Sequence, residues 1–369
     1  MRTALVVTAL AAVGASAAAV PFGASGERAQ IAKMKRDYVS KLEQRSSLAK
    51  RQSVTTGGQS LLAPTSKDVV LELNVLFVAA DDATILEFAL ILEHLEDAFY
   101  SQALSKFNAS SFNSAGYNGL YPVLKQVAAD EHQHVEFLTS ALTAAGATPP
   151  QALNKPESDR NYTFPYTDVH SFLALSQVIE GVGVSAYLGA AGDISDATYL
   201  TAAGSILTVE ARHNAFIRFI NGYVPFASPE DTPQSASNVV TIVTPFFKSC
   251  PSGSAPTIKG HPSLNLSSTN ATIGSTLKIA PSNSSVTDSQ SGTVYCGFAS
   301  GLAAGFSTWS KGECQVPTAN VTNGQTYVVL TTGPSLSDNT TLAGPAIINL
   351  GPQNVSVVLT GSANVTSKN

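Results

Sequence analysis

Between about residues 80 and 225, apolar positions recur at helical spacing; beyond 250 they gather in short β-branched runs between turns. DDATILEFALILEHLEDAFYSQALSKF opens with acidic residues suited to a helix start. GLYPVLKQVAADEHQHVEFLTSALTAAG has Pro122 early and stops at Gly146. DVHSFLALSQVIEGVGVSAYLGAAG and DATYLTAAGSILTVEARHNAFIRFING follow. Connections rich in Gly, Pro, Asn and Asp separate these stretches. The pattern predicts four amphipathic helices of roughly 20–27 residues, and mostly short loops make a bundle of them.

The later runs GSTLKIAP, GTVYCGF, GQTYVVLTTG, AIINLG and NVSVVLTGS predict strands of a smaller, all-β, sandwich-like domain over 250–369. VPFASPEDTPQSASN begins a linker expected over 226–249.

Polar residues interrupt the apolar helix faces in an ordered way. Glu93 is followed seven residues on by Tyr100; Glu131 and His134 form a Glu-x-x-His; Glu180 is followed seven residues on by Tyr187; Glu210 and His213 form a second Glu-x-x-His. The helix pair is thus repeated. Both Glu-x-x-His elements have a phenylalanine six residues after the glutamate, Phe137 and Phe216. Glu and His at i and i+3 share one helix face, so one helix offers an oxygen and a nitrogen to one ion. Two divalent ions held close together need several anionic ligands, and four carboxylates supply that charge, two of them as bridges. A carboxylate–imidazole set suits iron or manganese better than softer metals.

The bland reading is a bundle without metal, its polar groups capped or salt-bridged. Cations for that are few: near the motifs lie Arg212 and Arg218, and Arg212 sits beside the ligand face rather than on it. Four buried carboxylates without cations are very unfavourable. Glu96, three residues after Glu93, is an extra ligand, a proton relay, or an exposed or capping group; its repeat counterpart is Gly183, so symmetry gives a site role no support. His94, His132 and Glu136 are expected to point to solvent. Asp130 stays open between a group behind the ligands and a surface residue.

This order of ligands resembles that of the ferritin-like superfamily, which includes rubrerythrins and bacterioferritins, over about residues 80–225. LEHLEDAFY, DEHQHV, GVGVSAYLGAA and ILTVEARH are more closely similar to the fungal secreted ferritin-like proteins of stress response and late sexual development, a likeness extending over most of the chain. The resemblance implies a ferritin-like four-helix bundle in which Glu93, Glu131, His134, Glu180, Glu210 and His213 ligate two divalent ions, iron or manganese. Tyr100 and Tyr187 would stand behind the ligands. It further implies oxidant handling with dioxygen or peroxide, or metal oxidation. The alternative is a metal-stabilised or metal-free structural glycoprotein, associated with cell-wall polymer and without catalysis. Iron storage in a shell is less favoured, because a large appended domain hinders closure. Oligomeric state and catalytic residues are left open.

The ends of the chain modify this picture. MRTALVVTALAAVGASAAAVPFG has a basic start, an apolar run and a small-residue exit at Ala17–Ala19, the pattern of a signal peptide over 1–19. Residues 20–51 are basic and end in Lys50-Arg51. They resemble pro-segments of fungal secreted precursors, which implies cleavage after Arg51; an amphipathic helix that stays attached is the alternative. No later run reaches the roughly 20 apolar residues of a membrane span. The final TGSANVTSKN brings no hydrophobic tail, so no lipid anchor is expected. The expectation is an exported protein.

Charged residues make up only 13% of the chain. Nine basic and three acidic residues lie up to Arg51, leaving 12 basic and 23 acidic after it, a net of −11. So acidic a remainder points to metal cations and away from nucleic acid. Of Cys250, Cys296 and Cys314, one disulfide is expected, with Cys296–Cys314 the candidate pair, a choice the sequence alone does not settle. Nine glycosylation sequons occur, at Asn108, Asn161, Asn265, Asn270, Asn283, Asn320, Asn339, Asn354 and Asn364.

Overall fold

A computed structural model describes residues 82–150, 162–248, 250 and 256–351. The expected signal peptide and pro-segment, with Arg51, lie outside these residues, as do Asn161, Asn354 and Asn364. The other six sequon asparagines are all exposed.

Four long helices form the bundle: α1 (Asp82–Lys106), α3 (Leu120–Ala144), α4 (Val169–Ala190) and α5 (Ala197–Ile220). A short α2 (Ala109–Ser114) lies in the first connection. Side chains fix the helix starts. Asn108 accepts from the Ser111 amide at 3.1 Å and starts α2. Asp168 and Ser171 form a capping box at α4. Asp196 accepts from the Thr198 amide at 2.6 Å and starts α5. Asp82 accepts from the amides of Ser195 and Asp196 at 2.7 and 2.8 Å, so it ties α1 to the start of α5 instead of capping its own helix.

α1 lies along α3 and α4 lies along α5, whereas α1 and α4 meet over a narrower seam. On α3 one face is buried, through Leu124, Val127, Glu131, His134, Leu138 and Leu142. On α1 every residue from Leu90 to Tyr100 is buried. That corrects the expectation for His94, which is buried, with Nε2 3.3 Å from the Pro150 carbonyl oxygen. The one-face rule fails because α1 is covered on more than one side. His132 and Glu136 are exposed as expected.

The stretch expected as a linker carries a further helix, α6 (Ala236–Val243), capped by Ser235 and followed by a 3-10 turn over Thr244–Phe246. Val239, Val243 and Phe246 join the bundle core. At eight residues, α6 is too short to show a clear helical period in the sequence.

Among the described residues, eight strands and a short α7 (Ser285–Asp288) make the β domain; the expected strand NVSVVLTGS lies outside these residues. β1 (Leu264–Leu266), β3 (Thr276–Pro281) and β6 (Glu313–Gln315) pair antiparallel in the order β1-β3-β6. A five-stranded sheet has the order β2-β8-β7-β4-β5, with β2 (Asn270–Ala271), β8 (Thr341–Leu350), β7 (Gly324–Thr331), β4 (Tyr295–Ser300) and β5 (Ala303–Thr308). β2 and β8 run parallel and the remaining pairs antiparallel. Cys296 of β4 and Cys314 of β6 form a disulfide across the two sheets, and Cys250 is free. Leu277, Ile279, Phe298, Val328 and Ile348 fill the space between the sheets.

Alternation along a strand sends neighbours to opposite faces. Phe298 and Val328 face the sandwich core, while Ala299 and Tyr327 belong to the bundle core. Helices cover the outer face of the large sheet, so YVVL reads as a continuous apolar run. Buried hydrogen bonds join the two parts. Tyr327 donates to the Gly181 carbonyl at 3.0 Å, and Asn349 accepts from Gln177 at 3.2 Å and from Arg218 at 2.9 Å. Gly181 lets the sheet approach closely here: a Cβ would lie 2.4 Å from Gln325 Oε1, and that side chain would have to shift.

Among the described residues α4 is the one helix long and apolar enough to cross a membrane, by length and composition only. Its apolar window is 72% buried inside the protein, and it carries Glu180.

Candidate metal centre

The four bundle helices each turn one glutamate inward. Glu93, Glu131, Glu180 and Glu210 are at most 1% exposed, and His134 and His213 are 9% and 8% exposed. All six meet in one cluster. Glu93, Glu131, His134 and Glu210 offer ligand atoms within 4.8 Å of one another, and so do Glu131, Glu180, Glu210 and His213. The two groups share Glu131 and Glu210. Two ions held here would share Glu131 and Glu210, with Glu93 and His134 available to one and Glu180 and His213 to the other.

Glu131 shows the arrangement most directly. Its Oε2 lies 3.0 Å from His134 Nδ1 and its Oε1 lies 2.9 Å from His213 Nδ1. His134 Nδ1 also lies 3.2 Å from Glu93 Oε2 and 3.2 Å from Glu210 Oε1. His213 Nδ1 lies 3.5 Å from Glu180 Oε2.

The residues fit a pair of metal ions. Buried polar atoms are nearly always hydrogen-bonded. Here Glu131 Oε1, Glu180 Oε2, both oxygens of Glu210 and His213 Nδ1 are buried and lack a hydrogen bond, although His213 and Glu131 are close. All five point into one cluster. The groups within ion-pair distance of the four glutamates are, among the described residues, these two histidines. Two cations remove both the repulsion and the missing bonds.

The electrostatics agree. Burial, then the charge of Glu131, pushes the Glu210 carboxyl well above the usual carboxylate range. Burial also raises Glu131, against the two nearby histidines, which lower it. Burial pulls His213 down, but Asp130, Glu131 and Glu180 outweigh it and push it up to about 12. His134 is likewise raised, by Glu93, Glu131 and Glu210 against burial. A cluster that retains protons so strongly is a cluster in need of positive charge.

The tyrosines cross over. Tyr100 of α1 donates to Glu180 of α4, and Tyr187 of α4 donates to Glu93 of α1 at 2.5 Å. Ser176, 2.6 Å from the Tyr100 hydroxyl, was not singled out in the sequence. It lies one turn before Glu180, on the same face, and that spacing was the available signal. Phe99 and Phe172 pack edge-on against Tyr100 and keep water from it.

Asp130 stands behind a ligand. Its Oδ2 lies 3.3 Å from His213 Nε2, so the ring's other nitrogen faces the cluster. Glu96 is buried too, outside both four-residue groups. Burial, then the charge of Glu210, holds its carboxyl well above the usual range. Its repeat counterpart explains the room for it: a Cβ on Gly183 would lie 2.9 Å from both Glu96 Oε1 and Glu210 Oε2. The glycine leaves the space beside this fifth carboxylate.

The ferritin-like domain family matches residues 81–222, a span that holds all six clustered residues. Residues 81–222 fold as a ferritin-like four-helix bundle. Protein rds1 of Schizosaccharomyces pombe is 26% identical to this chain over 196 residues, which is 52% of this chain and 46% of that protein. The chain thus spans about half the length of that curated relative. The match to the ferritin-like domain ends before the β domain begins, so the strands are an addition to it.

Proposed function

We propose that the ferritin-like domain holds two iron or manganese ions and uses them in oxidant handling or metal oxidation, in an exported glycoprotein of stress or development. The observation that carries this reading is the set of five buried, unbonded ligand atoms converging from α3, α4 and α5. Glu93, Glu131, His134 and Glu210 would hold one ion, and Glu131, Glu180, Glu210 and His213 the other. A redox-active metal pair supplies electron transfer to dioxygen or peroxide. The chain's own part is to hold charge and shape. Tyr187 and Tyr100 fix Glu93 and Glu180, and Asp130 fixes His213. Glu96, whose carboxyl is held above the usual carboxylate range by burial and by Glu210, stands beside the cluster as a buried acid. Export and glycosylation rest on the N-terminal pattern and on the exposed sequons.

Metal analysis tests the core of this. After anaerobic loading with ferrous iron or manganese, about two ions per chain are expected, and fewer than about half an ion overturns the reading. With metal bound, faster consumption of peroxide or dioxygen by the wild type than by Glu131→Ala marks an enzyme. Equal rates mark a metal-stabilised structural glycoprotein.

A further inference from the structure

We infer that dioxygen reaches the metal centre along the apolar seam between α1 and α4, a route that peroxide does not share. This rests on the metal-centre reading and names the path of an oxidant to it.

Two small crevices lie along the seam. The first has a volume of about 20 Å³ and is lined by residues such as Leu86, Ala89, Leu92, Ala186 and Ala203; Tyr187 is its one side chain bearing a polar atom. That hydroxyl is already committed to Glu93. The second has a volume of about 10 Å³, between Leu92, Val182, Ile242 and Phe246, with Glu96 as its one polar side chain. Leu92 lines both. The first reaches half-buried Ile85, Ala89 and Ala190, and the second reaches half-buried Val178 and Ile242. Gly183 lines the inner part of the second crevice. The crevice ends at Glu96 and Gly183, and a Cβ on Gly183 would lie 2.9 Å from oxygens of both Glu96 and Glu210, so its inner end stands beside the carboxylate cluster.

Size and polarity select the visitor. These volumes are near the least that accepts one water-sized molecule, and apolar cavities stay dry while taking apolar gases. Dioxygen is diatomic and has no hydrogen bonds to lose. Peroxide carries two O–H groups and would find no partner along the walls before Glu96. The opposite side of the centre is polar. There half-exposed Asp130 stands behind His213, and an ion or peroxide has partners on that side.

Xenon under pressure on metal-free protein crystals reads the seam without any turnover. Xenon is expected in the crevices of the wild type, with loss of the inner site in Ile242→Phe and of the outer site in Ala89→Phe. Wild-type crevices without xenon overturn the proposal. The second arm uses wild type and Ala89→Phe/Ile242→Phe, each loaded anaerobically with the same measured amount of ferrous iron. Mixing with dioxygen should give severalfold slower iron oxidation in the variant, and mixing with hydrogen peroxide an unchanged rate. An unchanged dioxygen rate, or equal slowing with both oxidants, overturns the proposal. If the chain takes up no iron, the metal-centre reading has failed, and the xenon result still decides whether the seam admits an apolar gas.

Discussion

Tyr187 donates to Glu93 at 2.5 Å although the two residues are 94 positions apart. Its counterpart Tyr100 donates to Glu180 in the opposite direction across the same seam. Each tyrosine follows a glutamate on its own helix by seven residues, about two turns. Two turns bring it past that glutamate and beside the one on the facing helix. Each half of the repeat therefore holds a ligand of the other half.

Removal of either hydroxyl should weaken metal binding and leave the bundle folded. Tyr187→Phe and Tyr100→Phe are expected to lower metal affinity by about 10–100-fold, the usual effect of losing a group that orients a ligand. Calorimetric titration with manganese checks this. Unchanged affinity in both variants would show that the tyrosines only fill space.

The shared and unshared carboxylates should differ in stoichiometry. Glu131→Ala removes an oxygen from both ion positions, whereas Glu93→Ala removes one from a single position. Elemental analysis after equal loading should find both ions weakened in the first variant and one retained in the second. Equal losses would contradict the assignment of bridges.

Asp130→Asn tests a part of the His213 environment that reaches solvent. The amide can still meet the ring but no longer favours a proton on Nε2. A drop in affinity of about 10–100-fold is expected, confined to one ion. Asp130→Glu should recover part of it, which a purely structural loss would not show.

Acidity and metal should trade places. Glu96, Glu210 and His213 all have folded pKa values above their ordinary 4.5, 4.5 and 6.5. Such groups bind protons more tightly folded than unfolded. Their stabilisation is complete below the ordinary values and is lost as pH rises toward the folded ones. Asp130 is held below its ordinary 3.8 by His213 and Gln126 against burial, so it titrates beneath this window. Metal-free protein should therefore melt at lower temperature as pH rises from about 5 to 8, while bound metal, which replaces the protons, should widen the gap in Tm. A gap that narrows with pH would contradict this.

Much of the bundle was legible because its signals are local. Helical spacing, the caps and the doubled Glu-x-x-His all lie within a few turns of one helix. His94 was misplaced because a helix covered on several sides has no solvent face, and only its neighbours reveal that. α6 was read as linker because eight residues next to Pro and Ser show too little period. Asp130 could not be decided, since its partner His213 is 83 residues away on another helix.

The sequence by itself marked the six side chains that the structure brings into one cluster, since type and spacing repeat in two halves of the helical region. It also determined where helical period gives way to strands. Only the tertiary structure decided which glutamates are shared, which tyrosine serves which helix, and that Gly183 makes room for Glu96. It alone placed α6 and the large sheet against the bundle. The reason is physical. Periodicity records which side of an element is apolar, whereas sharing, crossing and clearance are distances between elements, and those exist only once the helices have packed.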